Sequence, residues 1–207
     1  MGRAFTVQAS LKPDLKTMTN HTTSNRNRRL TQTLRLVGWT LVAGLLVTPA
    51  IAMRFTDEVR WTLSDFIFAG VILGGAGIVA ELAVRASADR SYRIGAGLAV
   101  LACVLLLWLN AAVGVIGSED NPANLLYLAL IAAAFVGTVA TRFRPGGLSS
   151  TMVLAGVLQV TIGAVAVLRG WGAGSENWPQ PVIVLSIFFG LLWLASGAFF
   201  RRAARAN

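Results

Sequence analysis

The sequence is poor in charge and in the residues that most often carry chemistry. Only 13% of its 207 residues are charged, 55% are hydrophobic, and it contains one cysteine and one histidine. A soluble domain usually carries about a quarter charged residues, so this chain lacks the groups that keep a protein surface hydrated. The lone Cys103 excludes a disulfide within the chain and any cysteine-based metal spacing.

The motifs of common enzyme classes are also missing. The sequence has no glycine-rich phosphate loop of the Walker type, no HExxH and no Ser/His/Asp set. Its one histidine, His21, precedes every long apolar segment, so haem or copper within a bilayer would lack its usual ligand. We therefore expect no enzyme activity, no cofactor and no metal.

What the sequence does contain is long apolar segments. A helix of about 20 apolar residues crosses the hydrocarbon of a bilayer. The strands of a transmembrane barrel instead alternate apolar and polar residues, and this sequence shows no such alternation. The pattern predicts an all-α, polytopic membrane protein: a six-transmembrane-helix bundle over residues 34–207, after a disordered, basic cytoplasmic tail over residues 1–33. The six segments are Leu36–Met53, Asp65–Val84, Ile94–Ile116, Leu125–Thr141, Ser149–Leu168 and Val182–Phe200.

The first segment has a second interpretation. Arginines before it and the small residues Ala50–Ala52 at its end are also typical of a cleaved signal peptide. Its apolar stretch is longer than that of a usual signal peptide, which favours retention. Cleavage would leave five spans in the same orientation.

The distribution of positive charge predicts that orientation. With the N-terminus inside, 15 of the 18 lysines and arginines fall on the inner side, and every inner loop contributes. This bias predicts a multi-pass membrane protein with both termini cytoplasmic. Anionic lipid headgroups at the cytoplasmic face are the expected partners of these basic residues. Because they account for the positive charge, we expect no nucleic acid as a partner. The three exceptions are Arg54, Arg60 and Arg169.

Acidic residues gather in the predicted outer loops. Asp57 and Glu58 follow the first span, and Glu119 and Asp120 follow the third. Together they form a candidate outer acidic cluster that could hold a hard cation such as Ca²⁺ through oxygen ligands. Because their spacing is not that of a regular ligand set, a hydrated acidic face is the favoured interpretation.

The stretch NAAVGVIGSEDNPANLLY, residues 110–127, contains one of these acidic pairs. Gly117 suits the end of the third helix, Asn121 suits an N-cap, and Pro122 suits the first position of the fourth helix. Asn110, Gly114 and Gly117 are spaced i, i+4, i+7 and would share one helix face. That face predicts a helix-packing site, and a polar path for a ligand or ion is the alternative.

The second span has small and charged residues of its own. Gly70, Gly74 and Gly77 predict close packing against a neighbouring helix, in this chain or in a second copy. Near its inner end, Glu81 is expected to pair with Arg85 one turn later.

Two further polar positions are expected to have structural roles. Ser64 or Asp65 can cap the second span. Gln159, a lone polar residue of the fifth span, is expected to hold helices together rather than to contact a substrate.

The segments RFTDEVRWTLSDFIFAG and WLNAAVGVIGSEDNPANLLY resemble a family of small, uncharacterised multi-span bacterial inner-membrane proteins. The resemblance runs from about Leu36 to the C-terminus. It implies a bacterial inner-membrane location and supplies no catalytic residue.

Two functional hypotheses follow. The first is a structural or accessory membrane subunit that acts by helix packing, as a homo-oligomer or with a partner membrane protein. The second is a small ion or solute transporter or channel, with a polar path near Asn110 and an outer mouth at Glu119 and Asp120.

Overall fold

The computed structural model describes Thr33 and residues 36–56 and 58–206. The tail predicted over residues 1–33 lies outside the described residues except for Thr33, and Asp57 also lies outside them. Helices are the only regular secondary structure among the described residues, which contain no β-strand, and this confirms the all-α prediction.

Six α-helices follow one another along this described part of the chain. Five are long and apolar enough to cross a membrane, counting the short 3₁₀-helix Pro122–Asn124 with the fourth. The first is shorter, since at about 1.5 Å per residue it extends roughly 25 Å against about 30 Å of hydrocarbon. The helices are α1 (Leu36–Ala52), α2 (Leu63–Ala86), α3 (Arg90–Ala112), α4 (Leu125–Ala140), α5 (Pro145–Arg169) and α6 (Gln180–Arg205).

The chain divides into two compact units. The first ends at Phe66 and contains α1, and the second runs from Ile67 onward and contains α3 to α6. The boundary falls near the start of α2. The site described below lies entirely in the second unit.

The core of the second unit is built around α6, which packs against α3 and α5, while α4 packs against α5. Its largest fully buried side chains include Trp193, Tyr127, Phe189 and Leu106. Ser196 Oγ also donates to the carbonyl of Gly95, at 2.7 Å. These contacts join α6 to its neighbours along its whole length.

Glycines let α5 and α6 approach closely. A Cβ built on Gly190 would lie 2.7 Å from Cγ2 of Val160, and one built on Gly156 would lie 3.2 Å from the Gly190 carbonyl oxygen. Further along, Ser149 Oγ donates to the carbonyl of Gly197 at 2.8 Å. Small residues at such a contact bring two backbones together, which is a common way to join helices in membranes.

The short turn between α2 and α3 is held by side chains. The Asp89 carboxylate accepts from the Tyr92 backbone N–H at 2.8 Å, which is an N-cap of α3. Arg93 reaches back to the end of α2 and donates to the carbonyls of Ser87 (2.8 Å) and Val84 (3.1 Å). These hydrogen bonds hold the short turn in one conformation.

Both ends of α2 carry the polar contacts that its sequence suggested, with one correction. Thr62 donates to Asp65 Oδ2 from its backbone N–H (2.7 Å) and from Oγ1 (2.8 Å). The capping prediction for Ser64 or Asp65 was wrong in position, because the helix begins before both and Asp65 acts from inside its first turn. The predicted pair of Glu81 and Arg85 is confirmed at 2.9 Å.

Within the second unit, the middle of α2 has little packed against it. Ala69 is the only one of its residues that is buried. A Cβ built on Gly70, Gly74 or Gly75 would meet nothing within 4 Å. Within the second unit, the close packing predicted for this face is therefore not made at these three glycines.

Candidate functional site

The charged residues of the second unit lie at two opposite ends of the bundle. The end formed by the α2–α3 turn, the α4–α5 turn and the last turn of α6 is named the basic end, and the other end is named the acidic end. The basic end carries Arg85, Arg90, Arg93, Arg142, Arg144, Arg201, Arg202 and Arg205, together with Glu81 and Asp89; the acidic end carries Glu119, Asp120 and Glu176, with Arg169.

The α3–α4 loop forms much of the acidic end and corrects one prediction. Helix α3 ends at Ala112, so Gly114 and Gly117 do not share a helix face with Asn110. Both glycines have positive φ, +71° and +77°. Gly117 therefore does not end the third helix, which closes at Val113 instead. The helix-packing face predicted from the i, i+4, i+7 spacing is wrong.

Asn124 holds this loop in place. Its Oδ1 accepts from the backbone N–H groups of Val115 (3.0 Å) and Ile116 (2.9 Å), and its Nδ2 donates to the Ser118 carbonyl (2.7 Å). Asn124, Val115 and Ile116 are all buried. The amide thus satisfies backbone groups that would otherwise be buried without partners. Asn124 was not among the predicted site residues, although a polar residue at the start of an apolar helix is a usable signal.

The start of the fourth span follows the prediction. Asn121 caps the 3₁₀-helix, because its Oδ1 accepts from the Ala123 backbone N–H at 3.0 Å, and Pro122 takes the first helical position. The predicted roles of Asn121 and Pro122 are confirmed.

Two glycines bring the loops of the acidic end into contact. A Cβ on Gly117 would lie 2.9 Å from Cα of Gly172, in the α5–α6 loop, and Gly172 itself has φ +88°. A Cβ on Gly172 would also lie 3.3 Å from a ring carbon of Trp178. The conformation of one loop thus depends on the other.

Asn110 is the one site residue that is both buried and incompletely bonded. It is 9% exposed, and its Nδ2 donates to the Leu106 carbonyl one turn earlier in α3, at 2.8 Å. Its Oδ1 is buried and has no hydrogen-bond partner among the described residues. An unpaired buried acceptor is costly, so this atom is poised to receive a donor from elsewhere.

Asn110 lines a cleft of about 410 Å³ at the acidic end. Glu119 and Asp120 line the same cleft, so the structure brings together three of the residues singled out in the sequence. Gly114 and Gly117 are not among its lining residues. The remaining lining residues are Phe68, Leu107, Ala111, Asn121, Pro122, Asn124, Leu125 and Leu128.

The other half of the predicted acidic cluster belongs to the first unit. Asp57 lies outside the described residues. Glu58 belongs to the first unit, where its backbone N–H donates to Thr56 Oγ1 at 3.2 Å. Across the described chain no three acidic, cysteine or histidine side chains are close enough together to hold a metal ion. The convergence of four outer acids thus stays a prediction.

A second buried polar position lies in the helix core. Gln159 is fully buried, and neither atom of its side-chain amide has a hydrogen-bond partner among the residues described. The indole N–H of Trp193 in α6 is buried and unpartnered in the same way. Gln159 therefore makes no side-chain hydrogen bond between described helices, in contrast to the predicted role.

A smaller opening at the basic end has different chemistry. It measures about 360 Å³ and is lined by Ala140, Thr141, Arg142, Arg144 and Gly147. Both arginines are exposed. This opening has no buried polar group directed to a ligand, so the cleft at Asn110 is the stronger candidate.

Comparisons of the chain with protein-family models, with curated proteins and with solved structures found no match. The resemblance to small multi-span membrane proteins therefore stays a prediction. What the cleft does must be inferred from its own geometry.

Proposed function

We propose that the chain is an integral protein of the bacterial inner membrane, with six membrane-spanning helices and both termini in the cytoplasm. Five helices of sufficient length and apolarity support insertion. Among the described charges of the second unit, eight arginines lie at the basic end and only Arg169 at the acidic end. This asymmetry supports a cytoplasmic basic end, because cytoplasmic loops carry the excess of positive charge.

The outer surface of the helices supports the same location. Large apolar side chains stay exposed at mid-helix positions, among them Val136 (63%), Leu154 (59%) and Leu191 (61%). A water-soluble protein rarely presents a continuous apolar surface of this kind. Lipid chains would cover it without cost.

For activity, we propose a structural or accessory subunit that binds another membrane helix through α2. The supporting observation is the open surface of α2 within the second unit, where a Cβ built on Gly70, Gly74 or Gly75 would meet no described atom within 4 Å and Ala69 is the only buried residue of the helix. Two of these glycines are spaced i, i+4, as in close helix contacts in membranes. The interior glycines of α5 are covered by α6, which shows how this chain uses small residues when a partner helix is present.

Native mass spectrometry of the protein extracted in mild detergent tests this proposal. The wild type is expected to carry a second membrane protein or a second copy in fixed ratio. Gly74→Leu should release that partner, because a branched side chain would separate the two backbones. Gly97→Leu is the matched control, since Gly97 in α3 is equally open. A wild-type monomer, or an equal loss with both variants, would refute the proposal.

The cleft supports a second candidate function, a small ion or solute transporter or channel. Its particular support is the buried, unpartnered Oδ1 of Asn110 beside Glu119 and Asp120. Polar groups within membrane-spanning helices often mark a transport path. In proteoliposomes, Asn110→Leu should abolish flux while the protein stays folded. Unchanged flux through this folded variant would exclude the path.

A further inference from the structure

The chemistry of the cleft at the acidic end defines a ligand class. We infer that this cleft binds a protonated amine attached to an apolar body. The inference rests on the cleft that carries the second candidate function, and it names the ligand of that site. Three features of the lining lead to it: an unpaired acceptor, two carboxylates and apolar walls.

The acceptor requires a hydrogen-bond donor. Oδ1 of Asn110 is buried and unpartnered, while Nδ2 of the same amide is already used within α3. The side-chain oxygens of the two neighbouring asparagines are occupied as well, because Asn121 caps the 3₁₀-helix and Asn124 holds the loop. Of the three asparagines that line the cleft, Asn110 is therefore the one whose side-chain oxygen is not already used by the protein.

The carboxylates require positive charge. Glu119 and Asp120 lie on the lining and are exposed to solvent, and no lysine, arginine or histidine is among the lining residues. An anionic ligand would meet two negative charges without a partner. A bare divalent cation is also disfavoured, since it prefers six or more oxygen ligands and the described residues supply no cluster of three acids. An ammonium group needs fewer contacts.

The walls require an apolar body. Leu107, Leu125 and Leu128 form much of the lining, and Phe68 adds an aromatic side chain, a type of group that attracts cations. A volume of about 410 Å³ falls within the usual range of small-ligand sites, about 300–1,000 Å³. Two sources supply this chemistry: the ethanolamine headgroup of a phospholipid, and a free amphipathic amine from the aqueous phase.

Binding to purified protein in nanodiscs tests the inference and separates the two sources. For the lipid, native mass spectrometry compares retention of phosphatidylethanolamine with that of phosphatidylcholine, whose quaternary ammonium has charge but no N–H donor. For the solute, calorimetry in phosphatidylcholine nanodiscs measures phenethylamine, with phenylethanol as the uncharged control. Selective retention of phosphatidylethanolamine supports the inference with a lipid ligand. Binding of phenethylamine without that retention supports it with a solute ligand.

Variants assign the binding to the cleft. Asn110→Leu and the double variant Glu119→Gln/Asp120→Asn are each expected to weaken binding about tenfold or more, since each removes contacts to a charged donor. Glu176→Gln is the matched control, because Glu176 is an exposed acid at the same end that does not line the cleft. The double variant changes only exposed residues, so it keeps the test valid if Asn110→Leu fails to fold.

Two results would overturn the inference: no binding of either probe to wild type, or equal binding to wild type and to the double variant. Neither result would affect the subunit proposal, because that proposal is tested separately by the partner that the protein retains through α2. Amine binding by a protein that shows no flux in proteoliposomes would exclude the transport function, but it would not contradict the amine site.

Discussion

Asn110 and Asn124 show how differently one residue type acts at the acidic end. Asn124 uses both atoms of its amide to hold the α3–α4 loop. Asn110 uses only its nitrogen and leaves its oxygen buried without a partner. The first arrangement stabilises the fold, and the second is costly unless something else donates to it. Substitution should therefore cost much more stability at Asn124 than at Asn110.

Asn124→Ala should lower the free energy of unfolding by about 3 kcal/mol, because it leaves the buried N–H groups of Val115 and Ile116 without an acceptor. Unfolding by denaturing detergent, followed by circular dichroism, measures the change. Asn121→Ala is the control, since that side chain makes a single cap contact and should cost about 1 kcal/mol. Equal losses for the two variants would show that Asn124 does not organise the loop.

Asn110→Leu should change the free energy of unfolding by less than about 1 kcal/mol, because it removes an unpaired buried oxygen together with one local hydrogen bond. The same detergent titration without added ligand provides the measurement. A loss comparable to that of Asn124→Ala would mean that the Asn110 oxygen has a structural partner, and the amine-binding inference would lose its acceptor.

At the scale of helices and loops, glycine acts in two ways that its spacing in the sequence does not distinguish. Gly156 and Gly190 lie where α5 and α6 touch, whereas Gly70 and Gly74 have open space around them. Gly117 has positive φ and meets the backbone of Gly172. The surroundings, rather than the residue type, determine the effect of an added methyl group.

Gly117→Ala should lower the free energy of unfolding by about 1–3 kcal/mol, since the new Cβ would be strained at φ +77° and would press on Gly172. Gly97→Ala, in an open helical position, should instead leave stability unchanged or raise it by up to about 1 kcal/mol. Thermal unfolding of both variants tests the difference. If Gly117→Ala is as stable as Gly97→Ala, the two loops do not pack as described.

The helices were predictable because each needs only a long apolar run, but some of their ends were not. The third segment was expected to continue to Ile116, and helix α3 ends at Ala112. The residues between are apolar and buried, yet they form a loop whose N–H groups bond to Asn124. Hydropathy shows that a residue is apolar. It does not show whether the backbone N–H group of that residue is hydrogen-bonded within a helix or to a side chain. The helix face proposed for Gly114 failed for the same reason.

The candidate site was predictable in part. Asn110, Glu119 and Asp120 were singled out by chemical type, and they line one cleft because the loop returns over the end of α3. The walls of that cleft come from separate helices, with Phe68 on α2 and Leu128 on α4. Such proximity depends on tertiary packing and leaves no local pattern. The unpaired state of the Asn110 oxygen likewise became visible only in three dimensions.

At the scale of the whole molecule, the proposed membrane location and the proposed amine site both depend on orientation. The helices of the second unit separate a basic end from an acidic end, and the proposed amine site opens at the acidic end. If that end faces outward, ligands reach the cleft from the outer leaflet or from the solution beyond it. If it faced the cytoplasm, the positive charges would lie on the side where they are normally scarce.

Labelling of single cysteines in intact bacterial cells tests this orientation most directly. In a Cys103→Ser background, Ala173→Cys places a thiol in the exposed α5–α6 loop and Ala88→Cys places one in the exposed α2–α3 turn. Both substitutions leave every charge in place. A membrane-impermeant maleimide is expected to label Ala173→Cys in intact cells and Ala88→Cys only after the membrane is opened. The reverse pattern, or labelling of both in intact cells, would contradict the account.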